Sequence, residues 1–453
     1  MIFLQKIYLS LLNPVGRITG RIDDRIRNFI IYLLSCVLMC SYLLWHSFRV
    51  VGVSTTKNNE MLIGSLLLAG IIIISIKAKL QIVGWKRAIS FSLFVCGILM
   101  ILVSFLHPIG AGFRATALIW AIGFPCFYFV WGNRGDYHTI YITMAKAFSH
   151  ILGIYFLICI INFPIGENGD FGGRYIGTTA NPNIFGMLCA AAAISALYLI
   201  FITRTKTAWI YILIVGLSAL CALYSESRTA LLAIAIDSIL FIIYYVRHKI
   251  LKHDKKVEKS IILLLTCAVL IGAVFVIPYV SSHTDTVEAA VNKDKICQTS
   301  QTMTAQLDQT PLDRFETHEV DLNSFASSRF TVWKNYLENL NLIGHNGNKL
   351  LYIKDGYDKR EWAHNTALEI AYRCGVIPGI LFLLIEVYAG IYVLIWLFSK
   401  KYEPWRLFSM MGIITFCLYS VLDVVVYPFE HVIMFLFFIA IMPLFKKEKK
   451  VHE

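Results

Sequence analysis

Long apolar segments separated by shorter polar ones run through this chain of 453 residues. A helix that crosses a membrane needs about 20 predominantly apolar residues, and segments of that kind predict twelve spans. They lie at 29–47, 61–77, 88–107, 115–131, 139–163, 183–202, 207–224, 229–246, 261–280, 376–398, 406–422 and 430–446. The pattern therefore predicts an all-α polytopic membrane protein, with residues 1–453 forming a single integral-membrane domain.

The longest polar interruption, 281–363, separates the ninth predicted span from the tenth. Apolar positions 330, 333, 337 and 340 predict a helix there, and Leu350–Ile353 is strand-like. The loop leads into a short amphipathic helix predicted at 364–374, with Asn365, Glu369 and Arg373 on its polar face. Gly375 can end this helix, so the polar face would lie at the point where the chain re-enters the bilayer.

The composition, 57% hydrophobic and 15% charged, agrees with a membrane protein rather than with two or three soluble domains. One alternating set of segments, which includes both termini, holds 25 Lys and Arg, whereas the short loops between them hold 5. Positive charge marks the cytoplasmic side, so both termini are expected in the cytoplasm and loop 281–363 outside the cytoplasmic (inner) membrane. The net charge of +12 therefore reflects topology, and a nucleic-acid partner is excluded.

The first 28 residues lead into a full-length span without a small-residue cleavage site, so we expect the N-terminus to be retained. Ten of the eleven cysteines lie in or beside predicted spans, and no Cys or His spacing suggests a metal or another cofactor. Lys146, Asp237 and Glu386 lie inside spans, where they are expected to pair between helices.

Polar residues that can take part in catalysis or substrate binding cluster on the expected outer face. A glycine-rich loop carries Arg174 towards the turn Asn181-Pro182-Asn183. Arg228 stands between two closely spaced span ends, where it can bind phosphate or instead reach the lipid headgroups or pair with Glu226. Arg174 can likewise be a solvated arginine on an ordinary turn.

Two further candidates come from the long loop and its end. Arg329 lies in the first turn of the predicted loop helix, where a cation opposes the helix dipole, and His364 begins the short amphipathic helix. Three arginines and a histidine suit a reaction on a diphosphate-linked substrate, since the cations neutralise the leaving diphosphate and the imidazole removes a proton from the attacking hydroxyl. The outer loops show no paired carboxylates of the DxD kind, so no metal is predicted.

These motifs together resemble the O-antigen ligase and polymerase superfamily over about residues 170–380. They are Arg174 before Asn181-Pro182-Asn183, the run Ser227–Leu232, Arg329 with Trp333 and Gly344, and His364-Asn365 with Leu368. The resemblance implies a metal-independent GT-C type glycosyltransferase that moves a glycan from an undecaprenyl-diphosphate donor to an acceptor hydroxyl. It also implies that Arg228 and Arg329 bind the diphosphate with help from Arg174, that His364 is the catalytic base, and that Asn181, Asn183 and Asn365 support them.

Several alternatives stay open. The acceptor can be a lipid core, a growing glycan repeat or a protein side chain, which correspond to a ligase, a polymerase and an O-oligosaccharyltransferase. Membrane lipid surrounds the protein in each case. A twelve-span transporter or flippase for lipid-linked glycan is the alternative from another class, but it predicts related halves and a site near mid-membrane. The halves of this sequence do not look alike, and its polar motifs lie at one face.

Overall fold

A computed structural model describes residues 1–46, 57–107, 111–163, 174–179, 181–203, 205–247, 329–345, 350–354, 357–399 and 401–447. Within these residues nine helices are long and apolar enough to cross a membrane, and Asn59–Ser75 and Val432–Phe445 are shorter apolar segments. The predicted span at 261–280 and most of the loop 281–363, including 281–326, lie outside the described residues. The multi-pass helical architecture is confirmed, whereas the count of twelve and the loop position remain predictions.

The described helices of the bundle follow in chain order. They are α2 (Asp24–His46), α3 (Lys57–Ser75), α4 (Arg87–Leu106), α5 (Ala111–Leu118), α6 (Phe124–Arg134), α7 (Tyr137–Asn162), α8 (Pro182–Ile202), α9 (Thr205–Tyr224), α10 (Arg228–Tyr245), α13 (Val376–Phe398), α14 (Trp405–Leu422), α15 (Val432–Ala440) and α16 (Met442–Phe445). A π-helical turn, Ile119–Gly123, joins α5 to α6 within one span.

Helix α8 is the central element of the bundle. It is buried along nearly its whole length and packs against α7, α9, α10, α14 and α15. Four consecutive alanines, Ala190–Ala193, allow the neighbouring helices to approach closely, as small residues do in membrane bundles. Asn181 caps the helix by accepting from the backbone N–H of Asn183, and Pro182 occupies its first turn. The turn predicted at Asn181-Pro182-Asn183 therefore fixes where the central helix begins.

Helix α15 is also buried on every side. The ring of Phe438 stacks on Phe124 at 4.1 Å between centroids, and the hydroxyl of Tyr128 donates to the Phe438 carbonyl at 2.8 Å. Beyond α16 the chain pairs with residues near α4: the Lys86 N–H donates to the Phe445 carbonyl at 2.7 Å, and the Lys447 N–H donates to the Gly84 carbonyl at 2.9 Å. The C-terminal span is thus enclosed by earlier parts of the chain.

At one end of the bundle, here called the basic end, basic side chains bind backbone carbonyls or a carboxylate. Lys77 pairs with Asp24 at 2.5 Å, Arg134 donates to the Ser75 carbonyl, and Lys446 donates to the Gly132 carbonyl. An N-terminal helix that the sequence pattern did not predict, α1 (Ile2–Thr19), lies at this end. The hydroxyl of its Tyr8 donates to the carbonyl of Ile122 at 2.9 Å.

The described part of the long loop contains α11 (Arg329–Glu338) and an antiparallel hairpin of β1 (Leu350–Lys354) and β2 (Tyr357–Glu361). The strand at 350–353 is confirmed, so the all-α class holds for the membrane helices but not for the loop. The helix predicted from positions 330, 333, 337 and 340 is confirmed as α11, but its buried face is a different one: Val332 and Tyr336 are buried, while Phe330 and Leu337 are exposed. Tyr336 packs against Tyr372 at 4.8 Å between ring centroids, which sets the face.

The amphipathic helix after the hairpin is α12 (Thr366–Cys374). It begins two residues later than predicted, because His364 has a left-handed φ of 46° and Asn365 is the extended N-cap. The Asn365 side chain accepts from the Leu368 N–H at 2.9 Å. Gly375, with φ of 94°, ends the helix as expected and leads directly into α13.

Candidate active site

A cavity of about 210 Å³ lies at the end of the bundle opposite the basic end, which we call the cavity end. It is formed where the starts of α8 and α12 meet the segment between α14 and α15. The described residues that line it are Phe113, Asn181, Asn183, Ile184, Met187, Trp362, His364, Glu369, Arg373, Asp423, Val424, Val426, Tyr427, Glu430 and His431. The structure thus brings together three of the predicted site residues, Asn181, Asn183 and His364.

His364 is held between the hairpin and α12, with its side chain 27% exposed. Its Nδ1 lies 3.8 Å from Oδ1 of Asp423, the residue that follows α14. That carboxylate oxygen also accepts from the Val424 N–H at 2.8 Å, which limits how the carboxylate can turn. A carboxylate beside one imidazole nitrogen helps to set the orientation of the ring.

A second contact fixes His364 relative to Asp423. The Thr366 hydroxyl donates to the backbone carbonyl of Asp423 at 3.1 Å and accepts from the Val425 N–H at 2.9 Å. Both hydrogen bonds join the first residue of α12 to the segment after α14, and Thr366 is fully buried. Thr366, two residues after His364, is therefore hydrogen-bonded to the backbone of Asp423 itself and of the residue two positions after it.

The polar face of α12 is buried rather than placed at the membrane boundary. Glu369 and Arg373 form an ion pair with 2.5 Å between Oε1 and Nε, and their side chains are only 1% and 6% exposed. The other carboxylate oxygen of Glu369 accepts from the Ala363 N–H at 3.1 Å, and the guanidinium of Arg373 lies 4.5 Å from the ring centre of Trp362. The pair therefore holds both residues that precede His364.

Glu369 also stabilises the charged form of Arg373. Burial lowers the pKa of this guanidinium, but the Glu369 carboxylate together with Tyr427 offsets that effect, and the pKa is raised overall. Arg373 consequently remains a permanent cation in the cavity wall, balanced by Glu369.

The opposite wall comes from the short turn between α14 and α15. The His431 N–H donates to the Tyr427 carbonyl at 2.8 Å, and the Tyr427 N–H lies 3.4 Å from His431 Nδ1. His46 at the end of α2 bonds the Glu430 carbonyl at 2.7 Å through Nε2. The aromatic ring of Phe113 meets that of Tyr427 edge-on at 6.1 Å. This turn places Glu430 and His431 beside the cavity.

Sequence reasoning missed Asp423, Tyr427, Glu430 and His431. A signal was present, since alternation of the spans puts the interval 423–431 at the same face as His364, and it contains titratable residues between two apolar segments. Periodicity within a helix, however, does not show which of the loops on the same face of the membrane lies nearest to His364.

Arg174 connects the predicted glycine-rich loop to the turn before α10. Its Nε donates to the Ser225 carbonyl at 3.0 Å, and its Nη2 lies 3.3 Å from the Glu226 carbonyl and 3.5 Å from Asn183 Oδ1. Its Nε also lies 4.0 Å from the carboxylate of Glu226, so the predicted alternative of a solvated arginine does not describe it. Because Asn183 lines the cavity, Arg174 fixes the turn against the cavity wall.

Arg228 is the first residue of α10 and follows this turn, in which Glu226 has a left-handed φ of 49°. The neighbouring Ser227 approaches Gly186 so closely that a Cβ on the glycine would lie 2.3 Å from the serine Oγ. Gly186 stands one residue before Met187, which lines the cavity. The segment that carries Arg228 therefore adjoins the cavity, although the described lining does not include Arg174, Arg228 or Arg329.

Arg329 begins α11, as predicted. This helix packs against α12 through the Tyr336 and Tyr372 rings, and Tyr372 stacks on His345 at 4.1 Å between ring centroids. Arg329 thus belongs to a helix that is joined to the His364 segment, and its diphosphate-binding role remains a prediction.

Comparison with known protein families gives a match for one segment of the chain. Residues 213–384 match a family model described as O-antigen ligase. This segment is similar to the O-antigen ligase family. The matched segment contains Arg228, Arg329, His364 and Asn365, while Arg174 and Asp423 lie outside the matched residues. No curated protein and no solved structure matches the chain.

The family match supports a glycosyltransferase-type enzyme with a lipid-linked glycan donor and a glycan acceptor. Within the residues that the structure describes, no group of three or more His, Cys, Asp or Glu side chains is placed to hold a metal ion. Independence from metal remains a prediction from the sequence.

Proposed function

We propose that this chain transfers a glycan from an undecaprenyl-diphosphate donor to an acceptor hydroxyl at the outer face of the cytoplasmic membrane. The observation that carries the proposal is the position of His364 in the cavity, with Nδ1 3.8 Å from the Asp423 carboxylate. The family match, which includes His364, supports glycan transfer as the reaction.

In the proposed reaction the acceptor oxygen attacks the anomeric carbon of the donor glycan and forms the new glycosidic bond. The bond between the anomeric carbon and the diphosphate oxygen breaks, and its electron pair leaves with the lipid diphosphate. The acceptor proton passes to Nε2 of His364, and Asp423 stabilises the imidazolium at Nδ1. Proton transfer to a positioned base of this kind contributes roughly 10²- to 10⁴-fold to the rate. Direct attack gives inversion at the anomeric carbon.

The charge that develops on the leaving diphosphate needs cations. We assign this role to Arg228 and Arg329, because guanidinium groups bind phosphate oxygens with two parallel hydrogen bonds. Arg174 supports them, since its contacts to the carbonyls of Ser225 and Glu226 fix the turn before Arg228. The permanent charge of Arg373 is balanced by Glu369 and leaves the total charge of the pair near zero.

Sidedness follows from the distribution of basic residues in this proposal. Lys77, Arg134 and Lys446 bind backbone or carboxylate at the basic end, which the positive-inside rule places in the cytoplasm with both termini. The cavity, at the opposite end, then opens towards the outer leaflet, where the glycan of a lipid-diphosphate donor is exposed.

The test uses purified full-length protein in lipid nanodiscs with a synthetic undecaprenyl-diphosphate oligosaccharide and candidate acceptors. Mass spectrometry measures the covalent product. We expect His364→Gln to lower the turnover rate at least a hundredfold, and Arg329→Ala to lower it strongly, with folded protein recovered in the same yield. Lys334→Ala, which removes an exposed cation from the same helix as Arg329, is the matched control and should retain full activity.

The same experiment distinguishes the alternatives. Product on a lipid core, on a glycan repeat or on a protein side chain identifies a ligase, a polymerase or an O-oligosaccharyltransferase. Wild-type turnover by His364→Gln contradicts the proposed base. In a companion assay in sealed proteoliposomes, movement of the donor across the bilayer without any covalent product indicates the transporter or flippase instead.

A further inference from the structure

A second polar concavity lies within the membrane helices, away from the candidate active site. It is a groove of about 430 Å³ between α2 and α7, here called the Lys146 groove. Its lining residues are Asn28, Tyr32, Thr139, Ile142, Thr143, Lys146 and His150. The proposed glycan transfer uses none of them.

Lys146 stands at an unusual depth for a charged residue. It follows the first residue of α7, Tyr137, by nine positions, which places its Cα about 13 Å along the helix axis. The 26-residue helix is about 39 Å long, longer than the hydrocarbon layer of about 30 Å. The Lys146 Cα consequently lies inside the hydrocarbon layer, in the half nearest the basic end, where a flexible lysine stem can direct its ammonium towards the headgroups.

The expected interhelical pairing of Lys146 is not found. Its side chain is exposed on the helix surface and makes no ion pair or hydrogen bond with any part of the chain that the structure describes. Asp237, by contrast, accepts from the Thr415 hydroxyl at 2.5 Å within the bundle, as predicted for a charge between helices. An ammonium at this depth is costly unless an anion accompanies it or the stem carries it to the headgroups, and no described residue supplies such an anion.

The wall around Lys146 is ordered by hydrogen bonds. His150, one turn further into the membrane, lies 3.1 Å through Nδ1 from the Tyr32 hydroxyl and 3.4 Å through Nε2 from the Tyr211 hydroxyl. Its ring also stacks on that of Tyr211, with 12° between the planes. Both nitrogens of His150 therefore have partners on neighbouring helices, and the floor of the groove is fixed.

Asn28 supplies a second polar group without a partner. It lies one turn before Tyr32 on α2, and its Oδ1 is buried in the groove without a hydrogen bond to any described residue. A buried amide oxygen of this kind costs roughly 1–3 kcal/mol when it has no donor. The groove thus offers a cation and, beside it, an acceptor that needs a donor.

We propose that the Lys146 groove binds a glycerophospholipid of the leaflet at the basic end. The lipid phosphate pairs with the Lys146 ammonium, and a hydroxyl or ammonium group on the headgroup donates to Oδ1 of Asn28. The acyl chains lie on the adjoining apolar surface, where Phe29, Leu33 and Ile154 are exposed. Charge complementarity and the membrane depth of the site both favour a lipid over a soluble anion.

Native mass spectrometry of the full-length protein, titrated in detergent with phosphatidylglycerol, phosphatidylethanolamine or phosphatidic acid, tests this proposal. We expect Lys146→Met to weaken binding of one phospholipid roughly tenfold or more, and Lys146→Arg to retain it. Lys206→Met, which removes an exposed lysine near the basic end of α9, is the matched control and should bind like the wild type. Asn28→Leu should weaken phosphatidylglycerol and phosphatidylethanolamine roughly fivefold and phosphatidic acid, which has no glycerol or ethanolamine headgroup, by less than that.

Equal phospholipid binding by Lys146→Met and wild type overturns the proposal and leaves Lys146 as a lysine that only reaches the headgroup layer. Displacement of the bound lipid by millimolar inorganic phosphate indicates a soluble phosphate site and also overturns it. The result does not depend on the proposed glycan transfer, because the number of bound lipids is measured without donor or acceptor.

Discussion

The buried ion pair of α12 gives the sharpest single prediction, because it separates the positioning of His364 from its chemistry. Glu369→Gln keeps the size of the side chain and an oxygen that can accept from the Ala363 N–H. It removes only the negative charge, and it leaves the cation of Arg373 in a site where the side chain is 6% exposed. The change therefore tests what the charge balance contributes.

The expected magnitude follows from burial. Removing one partner of a buried pair typically costs roughly 3–5 kcal/mol, because the remaining charge is uncompensated. With side-chain exposures of 1% and 6% and 2.5 Å between Oε1 and Nε, this pair falls in that class. The segment that holds Trp362 and Ala363 then loosens, and His364 moves relative to Asp423. We expect a turnover rate at least tenfold lower, together with a lower unfolding temperature.

The chain contains a matched control for this substitution. Lys334 and Glu338 form another pair four residues apart, with 4.0 Å between Nζ and Oε1 and exposures of 76% and 59%. Exposed pairs contribute roughly 0–1 kcal/mol, so Glu338→Gln should change neither stability nor turnover. Thermal unfolding of the purified protein and glycan transfer by the two variants are measured side by side.

The double variant Glu369→Leu/Arg373→Met adds a discriminating arm. It removes both charges and should recover most of the lost stability, but not the turnover, since the Ala363 N–H and the Trp362 ring then lose their partners. Unfolding temperatures that are equal for Glu369→Gln and Glu338→Gln would refute the reasoning, because the pair would then behave as a surface pair.

Three further predictions concern the backbone and the base. Gly375→Ala should destabilise the protein by roughly 1–3 kcal/mol, because φ is 94° and the new Cβ would meet the Leu342 carbonyl oxygen at 2.1 Å. The control is Gly390→Ala, whose new Cβ meets nothing within 4 Å and should not lower the unfolding temperature. Thr366→Val should leave the Val425 N–H without its acceptor and lower kcat more than it raises KM, while Thr366→Ser restores kcat. Asp423→Asn should lower kcat while the acceptor KM stays within about threefold; an unchanged kcat contradicts the orienting role.

Hydropathy predicted most of the described membrane architecture, because a span is a local property of about 20 residues. The predicted span 376–398 coincides with α13, and 406–422 differs from α14 by one residue. The N-terminal helix α1 was missed because a helix that lies along other elements needs only an apolar face, and its charged residues interrupt the continuous apolar segment that marks a span.

The site was predictable only in part. A single histidine beside a helix start pointed to His364, and helical spacing placed Glu369 and Arg373 on one face. Spacing could not show that this face is buried, because burial depends on the residues opposite. The nearest carboxylate, Asp423, is 59 residues away in sequence, and only packing of α12 against the end of α14 brings it to 3.8 Å from His364.

The enclosed position of α15 has a consequence for how the protein is made. The ribosome synthesises this helix after every other described span, yet it fills the centre of the bundle between helices that are already in the membrane. The turn just before it supplies Glu430 and His431 to the cavity. Nascent chains that stop short of residue 430 therefore have an open gap between α6, α8 and α14 and lack one wall of the cavity. The enzyme becomes active only when translation has delivered this segment and the earlier helices have separated to admit it.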